Sequence, residues 1–344
     1  MKAVYINGHG GPEVVEVGER PLPEPGPGEV RVRVAFAGFN HVDLYMRNSG
    51  AGITHELPLI LGVDGVGAVD RAGDGVEGLA AGAPVLIYPA IHCNACEFCV
   101  RGDQMLCTTC RIPGEHVDGT FAEYICVPAN TLLPLPESLA PEKAAILPTA
   151  LLTAWRMIMT QAVVRPWETV LLHGVGGGVA LSAMQFVKLT GARAIVTSGA
   201  AGKLAQARAL GADATVNYRE DDVVARVMEF TGGRGVDVVV DNVGGDTWGV
   251  SLKCLVRGGR LVTCGATTGP RPPADLQRIF IRQLKISGST LGNREELRQL
   301  VEVAASGAFE PVIDGIWEMD TVHDAMDRME KADQFGKMVL RVGG

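Results

Sequence analysis

Four cysteines stand close together as Cys93-Asn-Ala-Cys96-Glu-Phe-Cys99, with Cys107 following. Thiolates at this spacing can close a tetrahedral shell around one zinc ion, and such a shell leaves no open position for substrate, so the zinc would be structural. An iron–sulfur cluster is the other chemistry open to four thiolates, and Cys110 is an alternative fourth ligand to Cys107. A second grouping is Gly174-Val175-Gly176-Gly177-Gly178-Val179-Ala180, entered from the mostly apolar segment Glu168 to Gly174. Side-chain-free positions let a backbone approach a pyrophosphate, and a helix starting there aims free N–H groups at it. We therefore expect Gly174, Gly176, Gly177, Gly178 and Val179 to hold a dinucleotide. Its identity depends on the end of the next strand, where an acid would bind a ribose 2′-OH. No acid lies between Arg193 and Lys203, and Ser198 with Lys203 suits a 2′-phosphate, so NADP(H) is favoured over NAD(H), with Tyr218 as an added wall. Asn242, after the fourth strand, and Gly265, after the fifth, should run past the same cofactor.

These residues need elements to position them. From residue 150 to 290, apolar strands near 168–174, 193–198, 213–218, 236–241, 260–264 and 284–288 alternate with helices. Strands without polar alternation, each separated by a helix, predict a parallel sheet covered on both faces, here a six-stranded, doubly wound dinucleotide fold. Residues 1–149 carry short β-like runs at 30–35, 65–69, 84–88 and 121–127 between Pro and Gly clusters, predicting a β-rich first domain. Residues 291–344 offer two helices (295–305 and 322–331) and a strand (337–342), too little for a domain. They should return to complete the first domain, making the nucleotide fold an insertion.

Composition narrows the function. With 31 Lys and Arg against 39 Asp and Glu, the net charge is −8, which argues against a nucleic-acid partner. The chain has no apolar run of membrane-span length and opens without a basic, then apolar, leader. We expect a cytoplasmic protein acting on a small molecule, with no membrane partner. Glycine, at 44 of 344 residues, is in excess, and the nucleotide loop and the strand ends account for part of it.

The chain resembles the medium-chain dehydrogenase/reductase superfamily, which includes zinc alcohol dehydrogenases and zinc-free quinone oxidoreductases. GGPEVVEV, PGPGEVRVRV, GFNHVDLY, LGVDGVGAV, the cysteine lobe, GTFAEY, LPTALLTAW, LLHGVGGGVALSAMQ, ALGADATVNYRE, VVVDNVGGDTW, GGRLVTCG and FGKMVLRV all carry the resemblance. It implies an α/β chain made of a GroES-like catalytic domain with an inserted Rossmann domain, and a homodimer or homotetramer. The departures bear on chemistry. Where zinc alcohol dehydrogenases place a catalytic Cys and His, this chain has Asn40 and Val63. Their proton-relaying hydroxyl is Val42 here, and the region of the third ligand has no Cys.

The quinone oxidoreductase branch matches better, through Asn40, Asp43 and Tyr45 and through Leu152-Thr153-Ala154-Trp155. The resemblance places Asn40 and Thr153 beside the nicotinamide, with Asn40 donating to the carboxamide or substrate oxygen, Tyr45 lining the substrate site and His41 contacting the pyrophosphate. Asp43 and Arg47, four apart, would form a helical ion pair. The expected function is hydride transfer from NADPH to a quinone or to a conjugated enone, enal or enoyl compound. The alternatives are an alcohol dehydrogenase with atypical zinc ligands (His41, Asp64 or His55) and a non-catalytic NADPH-binding redox sensor.

Overall fold

A computed structural model describes residues 1–343, and the chain divides into two units, Met1–Ala150 with Gly292–Gly344, and Leu151–Leu291. The first unit opens with β1 (Lys2–Ile6), β2 (Val15–Glu19), β3 (Glu29–Gly38), β4 (Leu59–Ile60), β5 (Asp64–Ala72), β6 (Pro84–Ile87), β7 (Tyr124–Pro128) and β8 (Leu132–Pro134). The second contains β9 (Thr169–Leu172), β10 (Arg193–Ser198), β11 (Ala214–Asn217), β12 (Val236–Asp241), β13 (Leu255–Thr263) and β14 (Lys285–Gly288). The returning segment adds β15 (Ile313–Glu318) and β16 (Lys337–Arg341).

In the first unit the period-two rule is plain in β3, where Val30, Val32 and Val34 are buried and Arg33 between them is exposed. β3 pairs antiparallel with β5 and with β16, so that Gly38 lies opposite both Asp64 and Val339. That register brings the ends of three distant segments to one place. The apolar side chains Met319, Val322, Met326, Met329, Met338 and Leu340 of the returning segment share one core with β3. The segment therefore completes the first unit.

The second unit is a six-stranded parallel sheet in the order β11-β10-β9-β12-β13-β14. Its order reverses between β9 and β10 on one side and β12 on the other, the switch point at whose carboxyl end such sheets bind ligands. All six residues of β12 and all four of β9 are buried, as both-faces coverage demands.

Several elements differ from the sequence reading. β1 and β2 form a small sheet with β4, and Leu276–Arg282 is a helix, none of which local periodicity marked. β15 was likewise not marked; it is a strand in which a register shift against β16 absorbs Asp314.

Candidate active site

The helix His41–Ser49 begins where β3 ends. Asn40 is extended at its N-cap, Asp43 Oδ2 accepts the Asn40 backbone N–H at 2.7 Å, and Gly50 closes the helix in the left-handed region with φ 67°. Asp43 is thus a cap rather than the partner of Arg47. Arg47 instead reaches Glu330 Oε1 at 3.0 Å and Asn48 Oδ1 at 2.8 Å, which corrects the expected ion pair.

Around Asn40 lies a buried charged cluster. The Lys337 ammonium donates to Asn40 Oδ1 at 2.6 Å and to the Phe39 carbonyl, and stands 3.5 Å from Asp64 Oδ2. Asn40 Nδ2 donates to Asp64 Oδ2 at 2.9 Å and to the Gly38 carbonyl at 3.2 Å. Lys337 is 5% exposed and Asp64 fully buried. Burial pushes the Asp64 carboxyl up and the Lys337 ammonium down, and their mutual attraction opposes both shifts. Both amide N–H groups of Asn40 are therefore taken. The Asn40 amide is held between Lys337 and Asp64.

His41 and Tyr45 follow on the same helix, their ring centroids 6.3 Å apart. Although the His41 ring is accessible, desolvation by the surrounding protein and the Lys337 charge lower its pKa, which favours the neutral imidazole. Tyr45 is 40% exposed, and partial burial raises its phenol pKa, so the hydroxyl stays a donor.

In the cysteine lobe, the Sγ atoms of Cys93, Cys96, Cys99 and Cys107 all lie within 4.8 Å of one another, and Cys110 is outside this group. The separations Cys93–Cys99, 3.8 Å, and Cys93–Cys107, 3.6 Å, can be set against a zinc shell. Tetrahedral Zn–S bonds of about 2.3 Å put sulfurs roughly 3.8 Å apart. Backbone N–H groups of Ala95 and Cys96 point at Cys93 Sγ and bring that thiol down to about 6. The group fits one structural zinc.

In the second unit, Gly174 and Gly176 take φ of 74° and 124°, which turn β9 into the helix Gly178–Leu189 with Gly177 at its N-cap. The first helical turn leaves the amides of Gly178, Val179 and Ala180 without intrahelical acceptors. A Cβ at Gly176 would lie 2.7 Å from Lys203 Cδ and 3.4 Å from its Nζ. The Lys203 side chain therefore lies against the glycine loop. There, a Cβ at Gly199 would meet Arg219 Nε at 2.7 Å and Tyr218 Oη at 2.8 Å, while Ser198 Oγ accepts the Ala200 N–H. A Cβ at Gly265 would lie 2.8 Å from the Asn242 carbonyl, so these two loops touch, and Asn242 Oδ1 is buried without a partner. Backbone cradles, a lysine over the loop and an orphaned amide oxygen at the switch point suit a dinucleotide.

Two family models match the chain: "Alcohol dehydrogenase GroES-like domain" over residues 26–137 and "Zinc-binding dehydrogenase" over residues 178–306. An alcohol dehydrogenase of Geobacillus stearothermophilus is 32% identical, across 99% of this chain and 100% of its own length. The chain belongs to the medium-chain dehydrogenase/reductase superfamily. The solved structure of an NAD-dependent alcohol dehydrogenase is 42% identical with a TM-score of 0.95, covering 100% of both chains. That of a crotonyl-CoA carboxylase/reductase, AntE, in complex with NADP is 25% identical with a TM-score of 0.92, covering 99% of this chain and 95% of its own. Membership fixes the fold as a GroES-like domain with a Rossmann sheet, and the activity as that of an oxidoreductase on small molecules.

Within this medium-chain dehydrogenase/reductase, the predicted residues fall into separate groups. Asn40, His41 and Tyr45 share one helix start in the first unit; the cysteines form a lobe of their own; Thr153, 7% exposed, belongs to the helix Leu152–Trp155 of the second unit. Asp64 and Lys337, as partners of Asn40, and Arg219, against Gly199, are candidate site residues that sequence reasoning missed. Lys337 stands 297 positions from Asn40, and only the β3–β16 register joins them.

Proposed function

We propose that this chain is a reductase of conjugated acceptors, a quinone or an enone, enal or enoyl compound, that uses NADPH and no catalytic zinc. The observation that carries the reading is the Lys337 ammonium among Asn40 Oδ1, the Phe39 carbonyl and Asp64 Oδ2. A fixed cation already uses these oxygens, and fully packed Val63 contributes no donor, so the set does not fit a zinc ion. An unactivated alcohol would need the lowered hydroxyl pKa a metal supplies. A conjugated acceptor spreads the incoming charge and needs chiefly a hydrogen-bond donor and a dry, oriented site.

A bound reduced nicotinamide would supply the hydride. The glycine-loop amides and Lys203 would hold its pyrophosphate, Arg219 and Tyr218 the 2′-phosphate, and Asn242 Oδ1 a donor of the cofactor. His41 would approach the phosphates as a neutral N–H donor. Tyr45, with its hydroxyl protonated, is the group we assign to the acceptor oxygen, and Thr153 a second hydroxyl for the nicotinamide or acceptor. Asn40, held by Lys337 and Asp64, would serve as a rigid wall and not as a donor. The likeness to AntE, a crotonyl-CoA carboxylase/reductase in complex with NADP, supports both parts of the reading. The NAD-dependent relative keeps NADH as the competitor.

The alcohol dehydrogenase names of the relatives favour a second reading, a zinc-dependent alcohol dehydrogenase with unusual ligands. Metal analysis together with a substrate panel separates them. One zinc per chain and NADPH-dependent reduction of quinones or enals support the proposal; two zincs per chain and faster alcohol oxidation support the alternative. We further propose that the protein is a homo-oligomer through β14, an edge strand that carries exposed Ile286 and follows a helix with exposed Leu276, Phe280 and Ile281.

A further inference from the structure

Four polar side chains, His173 after β9, Thr197 in β10, Asp241 at the end of β12 and Ser251 in the helix Gly245–Cys254, are linked to the first amide of the glycine loop. Gly174 N–H points at Thr197 Oγ1 at 3.3 Å; Thr197 Oγ1 lies 3.3 Å from His173 Nδ1; His173 Nε2 lies 3.1 Å from Ser251 Oγ; Ser251 Oγ lies 2.8 Å from Asp241 Oδ2. His173, Thr197, Ser251 and Asp241 are all at most 2% exposed.

Counting protons fixes the direction of every link. The Asp241 carboxylate only accepts, and it also takes the Thr247 hydroxyl and the Val243 and Gly244 N–H groups. Ser251 therefore gives its one proton to Asp241 and must accept from His173, which puts the imidazole hydrogen on Nε2. Nδ1 is then a lone pair that takes the Thr197 proton, and the freed Thr197 oxygen accepts Gly174 N–H. An imidazolium would break the order, because Thr197 Oγ1 would have to accept both Nδ1–H and Gly174 N–H and its own proton would lose the His173 acceptor. Burial favours the neutral ring by lowering the His173 pKa, against the Asp241 charge. The titratable groups facing this network are Asp241 and, beside it, the half-buried Cys264 thiol.

We propose that His173 is a positioning residue: as the neutral Nε2–H tautomer it ties the glycine loop at Gly174 to the Asp241–Gly244 turn through one unbroken, one-directional chain of hydrogen bonds. Both ends of the chain carry backbone that the dinucleotide reading places against the cofactor, and the inference rests on that reading. The chain would fix the start of the glycine loop in place before the cofactor arrives, so its loss should appear in cofactor affinity and not in the chemical step.

Two measurements test it. Histidine-selective 15N NMR of the wild-type protein at pH 7 should show His173 protonated at Nε2 alone; an Nδ1–H tautomer or an imidazolium would overturn the relay. NADPH titrations by fluorescence should show Thr197→Val and His173→Phe each weakening binding about tenfold, the worth of one buried hydrogen bond, with kcat at saturating cofactor within about twofold. Thr197→Ser, which keeps the hydroxyl, should restore wild-type affinity, and the double variant should be no weaker than either single one, as members of one chain are not additive. Unchanged affinity in Thr197→Val, or losses that multiply in the double variant, would overturn the proposal even if the tautomer is as expected. Failure of the wild-type protein to bind NADPH or NADH would instead overturn the dinucleotide reading, and the NMR result would still decide the relay.

Discussion

Replacing Lys337 by Met keeps the length of the side chain and removes its charge, which makes it a direct probe of the cluster at Asn40. The substitution would strand Asp64, fully buried, without its cation 3.5 Å away, and would leave Asn40 Oδ1 and the Phe39 carbonyl short of a donor. Removing one member of a buried pair typically costs about 3–5 kcal/mol, a large part of the roughly 5–15 kcal/mol that holds a native protein together. The sign with pH follows from Asp64, whose folded-state pKa is already raised by burial and would rise further without Lys337. A carboxyl with a raised folded pKa is stable when protonated and loses that stability as pH rises through the folded value. The deficit of Lys337→Met should therefore be larger at pH 8 than at pH 5. Urea denaturation followed by tryptophan fluorescence measures it, and adding Asp64→Asn should recover about 2 kcal/mol by removing the stranded charge. A deficit under about 1 kcal/mol, or one that does not change between pH 5 and pH 8, would refute the reasoning.

Other consequences are as specific. Arg219→Ala should remove a charge-assisted contact of roughly 1.5–3 kcal/mol and raise the KM for NADPH about 10- to 100-fold, with little effect on NADH; steady-state kinetics with both cofactors check this. Cys107→Ser should lose the bound zinc and destabilise the first unit by on the order of several kcal/mol, read by metal analysis and thermal melting. Phe280→Asp, placed on the exposed apolar helix beside β14, should dissociate the oligomer in analytical ultracentrifugation; an unchanged sedimentation coefficient would remove that face from consideration.

Much of this was legible in the sequence because it is local. The cysteine cluster, the glycine loop and the apolar runs of β9 and β12 each carry their physical signature within a dozen residues. What was not legible is long-range. Asn40 looked like a free donor until the β3–β5–β16 register placed Asp64 and Lys337 on either side of its amide. Lys203 follows Ser198 closely in sequence, and only the fold shows its side chain against Gly176 and Arg219, from beyond the end of β11, against Gly199. β15 was missed because its Asp-Gly pair is turn chemistry in isolation, overridden by pairing with β16.

The central claim is that hydride reaches a conjugated acceptor without help from a metal at the carbonyl. It is tested most directly by following the label from NADPH carrying deuterium in its transferable position into an α,β-unsaturated aldehyde by NMR. The account predicts deuterium at the β-carbon of a saturated aldehyde, formed with the protein holding one zinc per chain. Deuterium at the carbonyl carbon of an allylic alcohol would contradict it and identify an alcohol dehydrogenase.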